Sequence, residues 1–251
     1  MKKSLLLAIG FILAVSVSAG NLSGYRIGLD PGHGGSDPGA SGPTAPHEAT
    51  LCLRVVNALN SKLQGDGCGT MLTRSSDTYV GLSTRASRFT SYDPYIALSV
   101  HLNAANGSAY GTETWYCTSS GNSYSLASSM HSRMVACMRD GALGCATAPT
   151  KGGGTFARGV KQTCWTVIYI SSGIPATLTE GLFIDNSSEH SYLCSTSGFN
   201  AWMMGMLYGC YTHMNKCVNS NIPASPAGAT TSLSVSPTSL SFGNVVKGRS
   251  L

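Results

Sequence analysis

Charge is scarce in this 251-residue chain, with Asp, Glu, Lys and Arg together at 11%, against roughly 25% in ordinary soluble domains. That scarcity excludes disorder driven by high charge, and it means the polar surface is built from Ser, Thr, Asn and Gly. Several other features are missing too. No apolar run reaches the ~20 residues that span a bilayer. No CxxC pair occurs, which argues against a structural zinc site of paired cysteines. No HExxH string is present, and no internal repeat. Four of the five net positive charges lie at the ends. Residues 1–19 hold two lysines and residues 224–251 hold Lys247 and Arg249, with no acids in either stretch. Without those four, the body has 12 basic against 11 acidic residues, a balance of +1. Charge therefore gives no argument for a nucleic-acid partner.

What is there begins with an export signal. Lys2 and Lys3 precede the apolar run Leu5 to Val15, and Ser16-Val17-Ser18-Ala19 follows as a small-residue cleavage site. The expectation is an exported mature protein in the periplasm, the cell envelope or the medium, with no membrane attachment after cleavage. The nine cysteines then fall in an oxidising compartment, where an odd count leaves at least one unpaired. Cys137 with Cys145, and Cys210 with Cys217, are near enough in sequence to pair, whereas Cys52 lies in an apolar helical run and reads as a buried thiol.

Between residues 20 and 223, strand-like and helix-like runs alternate. Tyr25–Asp30, Thr70–Thr73, Tyr95–Val100, Thr112–Cys117, Cys164–Ile170 and Ala176–Leu182 read as strands. Glu48–Gln64 carries Leu51, Val55, Leu59 and Leu63 at helical spacing, and Gly81–Thr90, Ser123–Arg139 and Gly198–Asn215 read as further helices. The Met and aromatic stripe of the last helix reads as core. The stretches 103–111, 118–122 and 151–158 read as loops. This alternation predicts an α/β sandwich around a mostly parallel or mixed sheet. Residues 224–251 read as a linker followed by the opening strands of an immunoglobulin-like β-sandwich module that stops short, so the sequence reads as truncated there.

The residues suited to chemistry lie at strand ends, where ligands bind in open α/β sheets. His33 sits in a glycine-rich loop after the first strand, Glu48 opens the next helix, His101 follows the buried strand, and Glu180 ends a later one. Two imidazoles and a carboxylate make a common catalytic zinc set with one position left open, and a second Glu is then free to act as base. Each also has a plainer role: a hydrogen-bonded core histidine, a first-turn acid that meets the helix dipole, a solvated edge carboxylate. Asp30 can orient a ligand or serve the strand-end turn, and Arg158 can meet a substrate carboxylate or remain a solvated loop residue. His47, His131, His190 and His213 read as surface or structural.

The strings carrying these residues add to that reading. Leu29-Asp-Pro-Gly-His-Gly-Gly-Ser-Asp-Pro-Gly-Ala40 resembles the first zinc-ligand motif of the zinc-dependent N-acetylmuramoyl-L-alanine amidases, which trim bacterial peptidoglycan. In order there follow His47-Glu48, Leu72-Thr-Arg74, Leu82-Ser-Thr-Arg85, Leu98-Ser-Val-His-Leu-Asn-Ala104, Gly111-Thr-Glu-Thr-Trp-Tyr116, Arg158-Gly-Val-Lys161 and Thr179-Glu-Gly-Leu-Phe-Ile-Asp-Asn186. The resemblance spans roughly Tyr25 to Tyr211. It departs from the family pattern in the order Glu180-Gly181-Leu182-Phe183, and in its many cysteines.

The resemblance implies a three-layer α/β/α sandwich. It implies one catalytic zinc ion held by His33, Glu48 and His101, with Glu180 as the catalytic carboxylate. Its substrate would be peptidoglycan, cut at the amide between N-acetylmuramic acid and L-alanine, and the chain is expected to act as a monomer. The competing expectations are a zinc carboxypeptidase acting on wall peptides, and a wall-binding module without catalysis. The presence of all four metal and base residues argues against the second.

Overall fold

The computed structural model describes residues 22–118, 121–149, 156–170 and 173–215, so the export-signal stretch 1–19 and the stretch 224–251 lie outside the described residues. In chain order the elements are β1 (Arg26–Pro31), α1 (Glu48–Gly65), β2 (Gly69–Leu72), α2 (Leu82–Tyr92), β3 (Ile96–Asn103), β4 (Thr112–Tyr116) and α3 (Ser123–Met138). After a short 3-10 turn at Ala142–Gly144 come β5 (Ala157–Gln162), β6 (Ala176–Phe183), α4 (Ser187–Cys194) and α5 (Thr196–His213). The six strands form one sheet in the order β2-β1-β3-β6-β4-β5. All neighbouring pairs are parallel except β6 with β4, so the sheet is mixed.

The two-residue period of the central strand separates two cores. Ile96, Leu98, Val100 and Leu102 of β3 are buried in a large cluster with α1, α3 and α5. Ala97 belongs to a smaller cluster on the other face, with Phe89 of α2, Val167, Ile168, Ile170 and Leu178. Helices thus cover both faces, as a sheet with apolar side chains on both sides requires. The smallest residues set the closest approaches. A Cβ on Gly28 of β1 would lie 2.5 Å from Phe89, which lets α2 lie flat on the sheet.

Local chemistry explains the element ends. α1 carries Glu48 in its first turn and Lys62 in its last, each matched to the dipole end it faces. Its apolar stripe Leu51, Val55, Leu59 and Leu63 is fully buried, at about 1.5–3 kcal/mol for each side chain. Ser195 caps α5 through a 3.0 Å bond from the Gly198 amide. As expected, the Met and aromatic stripe of α5 is core, with Trp202, Met203, Met206 and Tyr211 buried.

Four expectations need correction. Cys164–Ile170 is a turn and not a strand: Ile168 and Tyr169 N–H groups bond back to the Trp165 carbonyl, and Val167, Ile168 and Ile170 are buried as a plug beneath the sheet. The edge strand is instead β5, whose residues Arg158-Gly-Val-Lys161 lie partly in a stretch read as loop; β5 is a polar edge strand without the apolar signature of a buried one. Asn186 accepts from the Ser188 and Glu189 amides and starts a separate helix, α4, before α5. The disulfide joins Cys117 to Cys164, 47 residues apart. Cys137 and Cys145 are free thiols in contact, Cys52 and Cys210 are buried and free, and Cys217 lies outside the described residues.

Candidate metal centre

The carboxyl ends of β1, β3 and β6 are adjacent in the sheet, and the sequence-selected residues meet there. His33 Nε2 lies 3.2 Å from Glu48 Oε1, and His101 Nδ1 lies 3.1 Å from the same oxygen. The two imidazole rings meet edge to face at 4.8 Å. One donor atom from each of His33, Glu48 and His101 falls within 4.8 Å of the others, a grouping that can hold a metal ion. Glu180 is the register partner of His101 across β3 and β6. Its Oε2 is buried and has no hydrogen-bond partner.

Backbone and side chains hold each donor in place. Glu48 Oε1 accepts the Leu102 amide at 2.9 Å, and Oε2 accepts the Ala40 amide at 2.8 Å. His33 donates through Nδ1 to Asp37 Oδ2 at 2.9 Å, which fixes the ring and leaves Nε2 facing Glu48. The loop turns tightly here: His33 has φ +58, a left-handed conformation that costs energy for a residue with a side chain and persists only when its surroundings over-determine it. Two arginines do so. Arg74 donates to the carbonyls of Pro31 at 2.9 Å, Gly32 at 2.7 Å and Ala49 at 2.7 Å. Arg85 donates to those of Pro31 and His33 at 2.6 Å each, and to Asp30 at 2.7 Å. Glycines give the donors room. A Cβ on Gly39 would lie 2.6 Å from the His33 ring and 2.7 Å from Glu48 Oε2.

The electrostatics are those of two imidazoles sharing one buried carboxylate. Burial opposes charge on His33, but the Glu48 and Asp37 carboxylates outweigh it and lift its pKa to about 9. His101 is raised in the same way, its burial overcome by Glu48. Burial alone would raise Glu48, yet His101 and His33 hold it far below the usual carboxylate range. Glu180 differs: burial pushes it up to about 7, with Glu48 and Glu113 adding to the rise and His101 opposing it.

Other candidates take structural roles. Asp30 touches no donor of the cluster; fully buried, it accepts from Arg85, from Ser99 Oγ at 2.7 Å and from Thr73 Oγ1. Arg158 lies in β5 and not in a loop; it is exposed, yet its Nε donates to Glu113 at 2.9 Å and its guanidinium lies 4.8 Å over the Phe183 ring. His47 is exposed, while His190 is buried against Gly42. Sequence reasoning missed Asp37, whose signal is a carboxylate four residues after His33 in the same turn. It also missed Glu113, which faces Glu180 across β4 and β6 and accepts from Asn103, Arg158 and Lys161.

A mixed sheet between helical layers, with two imidazoles and a carboxylate converging at its carboxyl rim, defines an α/β protein with a donor group that can hold a cation at a strand-end crevice. More specifically, the chain belongs to the N-acetylmuramoyl-L-alanine amidase family, whose model matches residues 27–206. It is 34% identical over 193 residues to the N-acetylmuramoyl-L-alanine amidase LytC of Bacillus subtilis, covering 74% of this chain and 36% of that one. It is 30% identical to the sporulation-specific N-acetylmuramoyl-L-alanine amidase of the same organism, over 73% of this chain and 66% of the other. The chain thus matches about a third of the first relative's length and just under two thirds of the second's. Among solved structures, the catalytic domain of the amidase CwlV from Bacillus (Paenibacillus) polymyxa superposes with a TM-score of 0.64 at 25% identity, covering 76% of this chain and 98% of that one. An N-acetylmuramoyl-L-alanine amidase of Clostridium difficile 630 gives 0.65 at 27% identity, over 76% and 97%.

Proposed function

We propose that this chain is a zinc-dependent amidase that hydrolyses the bond between N-acetylmuramic acid and L-alanine in peptidoglycan. His33, Glu48 and His101 would hold one zinc ion, and Glu180 would act as general base. The observation that carries the reading is the pairing of a nitrogen–oxygen donor triad with an unpartnered buried carboxylate oxygen beside it. The donors fit zinc: two imidazoles and one carboxylate leave a tetrahedral position open. Bound there, zinc supplies Lewis acidity to the scissile carbonyl and lowers the pKa of water to roughly 7.

The chain's own residues do the rest. Glu180, with a pKa near 7, can take a proton at Oε2 from the attacking water and return it to the departing L-alanine amine. Arg74 and Arg85 hold the His33 loop against the sheet, and Asp37 keeps the His33 ring turned toward Glu48. The same reading makes residues 1–19 a cleaved signal peptide, 20–223 the catalytic domain and 224–251 a linker with the start of a β-sandwich module. The protein would work as an exported monomer in the periplasm, the cell envelope or the medium. The Cys117–Cys164 disulfide supports an oxidising location. No helix among the described residues is long and apolar enough to cross a membrane.

The test is Glu180→Ala. It is expected to keep stoichiometric zinc while hydrolysis of purified peptidoglycan falls by about 10²–10⁴-fold. Near-normal turnover in that variant overturns the role of Glu180. Release of single amino acids, in place of stem peptides with new L-alanine amino termini, would make the enzyme a carboxypeptidase.

A further inference from the structure

Along β4, on the face that carries Glu113, the next side chain is Trp115. Its ring meets that of Trp165 edge to face, with centroids 6.1 Å apart and planes at 77°. Trp165 is 50% exposed and nearby Tyr169 54%. Neither is carried on a loose loop. Cys164, immediately before Trp165, is joined to Cys117 at the end of β4, and Val167, Ile168 and Ile170 are buried beneath the sheet. The segment is therefore anchored on both sides of a large aromatic ring that it holds in solvent. Rigid, half-exposed aromatic plates of this kind lose little freedom on binding a ligand.

We infer that Trp115 and Trp165 form a saccharide subsite that stacks the glycan strand of peptidoglycan beside the reacting bond, an inference that rests on the amidase reading above. Placement supports it. Glu113 faces Glu180 directly across the strands, and Trp115 lies one two-residue step farther, about 6.7 Å along the strand. In the substrate, the scissile carbonyl is joined through one carbon and one ether oxygen to the sugar ring, so the sugar must lie within a few ångströms of the general base. The rings of the plate suit a sugar. Lys161 is the cation on the plate, 5.0 Å over the Trp115 ring, and its amine is already bound to Glu113 at 2.5 Å. Arg158 is bound to the same carboxylate. The exposed Trp165 ring suits the C–H face of a pyranose.

The experiment uses the full chain and peptide-free glycan fragments of alternating N-acetylglucosamine and N-acetylmuramic acid. Of the three tryptophans, Trp202 is fully buried, so a saturable change in tryptophan fluorescence reports Trp115 and Trp165. Trp165→Ala is expected to weaken glycan binding by about tenfold, the loss of one aromatic anchor, and Trp165→Tyr to restore most of it. On glycan-linked substrate, Trp165→Ala should raise KM about tenfold and leave kcat within about twofold, as loss of binding shared by ground and transition states requires. Unchanged glycan affinity in Trp165→Ala overturns the subsite. So does a wild-type fluorescence response to free stem peptide with none to glycan. Glycan binding that depends on Trp165, without any hydrolysis by the wild type, supports the subsite while overturning the amidase reading.

Discussion

Replacing Gly32 by alanine tests how tightly the proposed metal centre is built. Gly32 is not among the residues with positive φ, so alanine can adopt its backbone and the cost is steric. A Cβ there would lie 2.4 Å from Cε1, 2.6 Å from Nδ1 and 2.7 Å from Nε2 of His101. Ordinary carbon contacts are about 3.5 Å, so ring and loop must separate by about 1 Å. The loop has little freedom to retreat, because the Gly32 amide donates to Val100 at 2.9 Å and its carbonyl accepts from Arg74 at 2.7 Å. The His101 ring must therefore shift from its place beside Glu48. A misplacement of ~1 Å costs about 10²-fold in rate, and overpacking costs about 1–3 kcal/mol in stability. The assay is stem-peptide release from purified peptidoglycan, together with zinc affinity measured by chelator competition. Gly65→Ala is the control: no atom lies within 4 Å of its added Cβ, and it should keep full activity. Wild-type turnover and zinc affinity in Gly32→Ala would refute the idea that backbone packing pins His101.

Asp37→Asn should weaken zinc binding by about 10–100-fold, since partners that orient a ligating imidazole have effects of that size; chelator competition measures it, and an unchanged affinity removes Asp37 from the site. Asp30→Ala breaks the fully buried pair with Arg85 and should lower unfolding free energy by about 3–5 kcal/mol in urea titration; a loss below about 1 kcal/mol means that the network is not what holds the loop. His131 supplies the pH dependence. Burial lowers its pKa from 6.5 to about 4, so the folded state resists protonation. Its stabilising contribution is complete above pH 6.5 and is lost as pH falls toward 4. In His131→Leu the decline in Tm over that window should be shallower, and an identical decline would show that His131 does not couple to folding.

The alternation of strands and helices was legible because it is written in local periods. The proximity of His33, Glu48, His101 and Glu180 could be anticipated because each lies at or near the end of an element with a strong apolar pattern. β5 was not, since an edge strand needs no apolar alternation. The turn at 164–170 was mistaken for a strand because burial as a plug and burial as a strand leave the same apolar run. Asp30 could orient a ligand or serve the strand-end turn, and those two roles differ by where Arg85 points, from 55 residues away. The Cys117–Cys164 pairing was likewise invisible, as neither cysteine has a close neighbour in sequence.

Residue order alone established that two imidazoles and two carboxylates stand at the ends of elements in an α/β chain, because propensity and hydrophobic period act over a few residues. That His33, Glu48 and His101 share one pocket follows from the placement of β1 beside β3, and that Glu180 stands next to them follows from the placement of β3 beside β6. Strand order is set by burial of both sheet faces and by contacts between distant segments, which no local pattern encodes. The same long-range packing decided which carboxylate has arginine and lysine partners, Glu113, and which keeps a buried oxygen unpaired, Glu180.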